Sequence, residues 1–123
     1  MESKQFKSRE NPRIKLKLKA NLKDKKDTSS YFTRGIITNF SRSGLFIQSN
    51  KLYLKGSIII IRLSLPNEKK PLHLNGTVVS IIQAKGKEKG GMGIKIFKEK
   101  LNSKEAERLK VFFDLNNIYG WFC

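Results

Sequence analysis

The sequence predicts an all-β domain with one helix: a six-stranded antiparallel β-barrel followed by a C-terminal α-helix. Three observations predict it. Six short segments carry strand composition and are separated by turn-forming residues. The apolar period changes from two to about 3.6 only after Asn102. With 123 residues, 38% of them hydrophobic, the chain can fill one small core, so a single domain is expected.

Each element has its own reason. Residues 1–8 are polar and are expected to form a flexible N-terminal arm. Ile14 to Ala20 alternates apolar and charged side chains strictly, the mark of a strand with one buried face. Asn21 to Ser30 reads as a charged connection, and Tyr31 to Thr38, aromatic and β-branched, as the second strand with Gly35 as a candidate bulge. Gly44 to Gln48 is the third strand. Lys55-Gly56 turns the chain into Ser57 to Leu65, whose Ile58–Ile61 run predicts deep burial. Pro66 to Pro71 has the composition of a hairpin loop. In Leu72 to Ile82 the apolar phase slips near Val78-Val79, which predicts a bulge. Lys85 to Gly91 reads as a mobile loop before the sixth strand, Met92 to Phe97. Asn102 and Glu105 form a capping-box pattern, and Ala106, Leu109 and Phe113 recur at helical spacing until Asn116-Asn117 stops the helix. The closing stretch, Ile118 to Cys123, is apolar and is expected to fold back on the barrel. These readings divide the chain into 1–8 (arm), 9–115 (barrel with its helix) and 116–123 (apolar tail).

Charge narrows the function. The chain has 26 Lys and Arg against 10 Asp and Glu, a formal net charge of +16. Residues 28–66 contain no acidic side chain, whereas residues 101–123 balance. An anionic partner for the body of the domain follows. Lysines can be a solubilising coat, so the six arginines are the more informative cations. One cysteine, Cys123, and one histidine, His73, exclude a disulfide framework, a thiolate cluster and a histidine metal site, so no metal is expected. No apolar run reaches the roughly 20 residues of a membrane span. No signal peptide is evident, so a cytoplasmic location is expected. Scattered carboxylates and a lone histidine between Leu72 and Leu74 make an enzyme the least supported reading.

Two short patterns carry chemistry. Arg9-Glu10-Asn11-Pro12-Arg13 is an R-x-x-x-R ahead of the first strand, and Pro12 keeps Asn11 extended so that the two arginines reach outward separately. Asn39-Phe40-Ser41-Arg42-Ser43-Gly44 is an N-x-S-x-x-G lying between two strands rather than inside one. Its short polar side chains suit a turn or a ligand edge, and Gly44 permits positive φ or close backbone approach.

The two patterns, in this order, are followed by Gly-Leu-Phe-Ile, a Lys-Gly before the next strand and Gly91-Met92-Gly93-Ile94-Lys95-Ile96-Phe97. That series resembles a PilZ domain over about Arg9 to Phe113. The resemblance implies a six-stranded barrel with a C-terminal helix acting as a bacterial receptor for cyclic di-GMP. It implies that Arg9 and Arg13 clamp guanine and phosphate, that Asn39 and Ser41 approach a guanine edge, and that Gly44 keeps a Cβ out of the way. The chemistry agrees: a guanidinium fork pairs with guanine O6 and N7, and also binds phosphodiesters. Arg42 is expected to add a phosphate contact on the same grounds, outside the motif proper. Many family members carry a basic residue immediately before the first arginine. Here Ser8 stands there, with Lys7 one place back.

Beyond the resemblance, the arm, residues 1–13, is expected to be loose without ligand, to fold over the barrel with it, and to present a changed surface to a downstream protein. Two alternatives stand beside it. One is a basic barrel that binds nucleic acid electrostatically, disfavoured because Phe40, Phe46, Phe97 and Phe113 fall where a core needs filling. The other is an adaptor that docks a partner through Ile118 onward without binding ligand.

Overall fold

Alternation of apolar and polar side chains, repeated through six strands, closes a barrel around one core. The computed structural model describes residues 14–41, 43–87, 89–118 and 121, with Ile14 and Lys15 described through their backbone alone. The strands are β1 (Ile14–Asp24), β2 (Thr33–Ser41), β3 (Gly44–Ser49), β4 (Ile58–Leu63), β5 (Leu72–Ile82) and β6 (Gly91–Ile96). A short 3-10 turn (Lys98–Lys100) leads to helix α1 (Ser103–Leu115). All neighbouring strands are antiparallel, in the closed order β1-β2-β3-β6-β5-β4. The predicted fold class is the observed one.

Closure explains where local reading of the sequence stops short. Asn21 to Asp24, expected as a connection, continue β1, because this end of the strand must pair with both β2 and β4. Leu22 at its centre is fully buried. β2 begins later than expected and runs on to Ser41, so Asn39 and Ser41 lie inside a strand and not between two. Gly35 holds regular register with Ala20 and Ser49 and is no bulge. The irregularity falls instead between Ile37 and Asn39, where β2 carries one residue more than β3. In β4, Ile59 and Ile61 are fully buried while Ile58 and Ile60 are half-buried, the alternation of a barrel wall. The bulge expected near Val78-Val79 is present.

The core is aliphatic in the barrel and aromatic at its helix end. Phe40, Phe112, Phe113 and Trp121 are all buried, with the Phe40 ring centroid 4.9 Å from that of Phe113 and 6.2 Å from that of Trp121. Edge-on aromatic pairs of this kind add about 1 kcal/mol beyond their buried area. Ile118 is buried with them, so the apolar closing stretch does return to the barrel at its two buried positions. Phe46 and Phe97, expected in the core, are only half-buried: Phe46 falls on the outward phase of β3, and Phe97 follows inward-facing Ile96 just past the end of β6.

Helix α1 is held at both ends. The Asn102 side chain accepts from the Glu105 N–H at 2.8 Å, and the Glu105 carboxylate accepts from the Asn102 N–H, completing the capping box. Arg108 reaches across to Glu68 at 2.6 Å and donates to the Lys70 carbonyl, tying the helix to the β4–β5 hairpin. Asn117 takes the left-handed conformation, φ 57°, that ends the helix.

Candidate functional site

The site follows from the extra residue, Thr38, in β2. Side chains of a strand alternate, so with Ile37 inward an unbroken β2 would turn Asn39 inward too. The bulge shifts the phase by one. Phe40 becomes the next inward residue, 1% exposed, and Asn39 and Ser41 both face out. An N-x-S spacing on a strand thus places an amide and a hydroxyl on one face, two residues apart.

Register extends this into rows across the barrel wall. Asn39 pairs with Lys15 of β1 and Phe46 of β3, Phe46 pairs with Gly93 of β6, and Gly93 with Ser80 of β5. A second row runs from Ser41 through Gly44 and Lys95 to Thr77. Lys95 is exposed and is the described cation of these two rows whose side chain is placed. Ile14, the first strand residue, lies opposite Phe40, so the chain enters the barrel beside the polar pair.

Gly44 is required by packing. A Cβ there would overlap the Ile94 carbonyl oxygen of β6, and its φ is not positive, so close approach is the reason and not turn geometry. Its carbonyl accepts from the Trp121 indole N–H at 3.0 Å. Trp121 in turn lies under the Lys98 ammonium, 4.5 Å from the ring centroid, and its carbonyl accepts from the same lysine. The polar motif, the aromatic cluster and the chain's last described residue are therefore one packed unit.

Of the residues expected to bind ligand, Asn39, Ser41 and Gly44 come together at one end of β2 and β3. Arg9, Arg13 and Arg42 lie outside the described residues, as does the arm 1–8. Sequence reasoning did not place Phe46 and Ser80 in the outer row with Asn39. Their signal was the outward strand phase after Leu45 for Phe46, and the Val78-Val79 slip for Ser80. A groove of about 550 Å³ lies elsewhere on the outer wall, lined by Lys19, Arg34, Lys89, Asn21, Gln48 and Asn50 among others. It includes neither Asn39 nor Ser41.

No helix among the described residues is long and apolar enough to cross a membrane. The family model for the PilZ domain matches residues 7–114. Among solved structures, the PilZ domain of YcgR from Escherichia coli with c-di-GMP superposes with a TM-score of 0.63 at 13% identity, over 90% of this chain and 93% of that one. The Bacillus subtilis inhibitor of motility (MotI/DgrA) superposes with a TM-score of 0.61 at 15% identity, over 89% of this chain. The chain spans about half the length of that protein, 52%. A search of curated proteins finds no significant match.

Proposed function

The chain belongs to the PilZ domain family, and from that premise we propose that it is a receptor and adaptor for cyclic di-GMP, binding the dinucleotide rather than transforming it. The observation that carries the reading is the outward pair Asn39 and Ser41, set by the β2 bulge beside the strand end that follows Arg13 in the sequence. An amide and a hydroxyl about 7 Å apart along a strand can address one guanine edge. Arg9 and Arg13 supply bidentate donors for guanine and phosphate, and Arg42 and Lys95 supply further positive charge. A dinucleotide with two phosphodiester charges suits the anionic partner that +16 calls for. The YcgR domain determined with c-di-GMP supports the ligand class.

Calorimetric titration with cyclic di-GMP at physiological salt, beside Arg9→Ala, Arg13→Ala and Ser41→Ala, tests this. Saturable binding that each variant weakens by tenfold or more is expected. Binding of random duplex DNA that fades with salt, with no saturable dinucleotide binding, would establish the nucleic-acid reading instead.

A further inference from the structure

We infer that the guanine-reading surface extends beyond the motif along the first register row: Phe46 offers an aromatic face to a base, and Ser80 offers a hydroxyl across the strand between them. This rests on the cyclic di-GMP reading and adds two residues to it.

The core aromatics Phe40, Phe112, Phe113 and Trp121 are all buried. Phe46 stands on the other face, half-buried, as the direct register partner of Asn39. One strand spacing, about 4.8 Å, separates the two backbones, so a purine held at the amide can extend across β3 toward the ring. The ring is seated by glycine. A Cβ at Gly91 would overlap Phe46 Cζ, so the phenyl group leans onto the β6 backbone at that position. One side of the ring is covered there while the residue stays partly exposed, which is how a stacking platform is held flat.

The next position in the row, Gly93, presents no side chain. Ser80 Oγ occupies the space that a Cβ at Gly93 would take. Ser80 is exposed and faces out because β5 is bulged between Val78 and Ser80, the same device that turns Asn39 outward on β2. Two bulges thus flank β3 and β6, and both deliver a polar side chain to one row about 14 Å long. That length matches a fused purine with its sugar better than a single small anion. The chemistry divides accordingly: the ring recognises any base face, and the two polar ends discriminate base edges.

The test titrates cyclic di-GMP into the wild-type chain, Phe46→Leu, Phe46→Tyr, Phe46→Ala and Ser80→Ala, with thermal unfolding of each and the guanine H8 proton resonances followed by NMR. Wild type is expected to move H8 upfield through the ring current. Phe46→Tyr is expected to retain this shift, and Phe46→Leu to lose it together with about tenfold in affinity. Ser80→Ala is expected to weaken binding about threefold to tenfold. Should Phe46→Ala fail to fold, the leucine and tyrosine variants decide. Wild-type affinity and an unchanged H8 shift in Phe46→Leu would overturn this inference and leave the receptor reading intact. Absence of dinucleotide binding by wild type removes both.

Discussion

Two stretches of one outer face, a few residues apart on β2, differ in how they are made. Around Arg34 the register is regular, from Leu18 opposite Ile37 to Leu22 opposite Thr33, and the surface is a groove of about 550 Å³ bearing Lys19, Arg34 and Lys89. Around Asn39 the strand is bulged, and Gly44 lets the β6 backbone approach closely. Long side chains standing out from a twisted barrel wall can border a groove without any break in the register beneath them. A bulge requires an extra residue, an unpaired backbone group and a neighbour to accommodate both. Volume and charge mark the first region, and altered strand geometry the second.

The sharpest way to break the comparison is to add one methyl group to each region. Gly44→Ala drives Cβ into the Ile94 carbonyl oxygen, which is backbone and cannot step aside. Destabilisation of about 3 kcal/mol is expected by denaturant unfolding, at the upper end of ordinary overpacking. Gly35→Ala, beside the groove, meets the ends of flexible side chains, Leu22 Cδ2 at 2.8 Å and Ile47 Cδ1 at 2.9 Å. It should lose only about 1 kcal/mol. Equal effects would mean that the close approach at Gly44 is no special constraint.

Next in size is the link from the motif to the chain's end. Trp121→Phe keeps an aromatic ring against Phe40 and Phe113 but removes the indole N–H that Gly44 O accepts. A loss of about 1–2 kcal/mol is expected, the value of a buried hydrogen bond with its acceptor left behind. Dinucleotide affinity should fall with it, because the same carbonyl belongs to the motif residue that begins β3. Calorimetry and thermal unfolding on one sample would separate the two effects.

These predictions also delimit what could be read in advance. The six strands, the Val78-Val79 bulge, the Asn102/Glu105 capping box and the helix stop at Asn116-Asn117 were legible because each is a local pattern with a local cause. The strand character of Asn21 to Asp24 was not, since pairing with β4 overrides a polar composition. Nor was the bulge at Thr38 visible, because Ile37 and Phe40 flank two small polar residues that fit either phase. The motif itself was visible as residues, but its orientation waited on that bulge. Phe46 was assigned to the core on type alone, and only strand register moves it to the outer face beside Asn39.

A smaller effect tests the charged region. Replacing Lys19, Arg34 and Lys89 together with Gln removes three positive charges that have no carboxylate partner among the described residues. If the groove only attracts anions, the association rate for cyclic di-GMP should fall a few-fold at low salt and recover at high salt, with little change in dissociation. A large rise in the dissociation rate would make the groove part of the binding surface and erase the distinction drawn between the two regions.

The smallest expected effect lies in the β1–β2 connection, where the chain turns between the two regions' shared strands. The Asp27 carboxylate accepts from the Ser29 N–H at 2.9 Å, and this bond and one from the Ser29 hydroxyl hold its pKa below the usual carboxylate value, with Lys23 and Lys51 helping slightly. A depressed folded-state pKa contributes stability above the unfolded value, about 3.9, and that contribution disappears as pH falls through the folded-state pKa. Asp27 should therefore matter at neutral pH and not in strong acid. A carboxyl-carbon NMR titration is expected to place its midpoint below that of an unstructured aspartate, with Ser29→Ala moving it only part of the way back because the backbone donor remains. Raising the salt should leave most of the depression in place, since hydrogen bonds and not the two lysines come first among its causes. A midpoint at the ordinary aspartate value would show that this turn does not hold its bonds in solution, and that regular register in β1 and β2 needs no help from the connection between them.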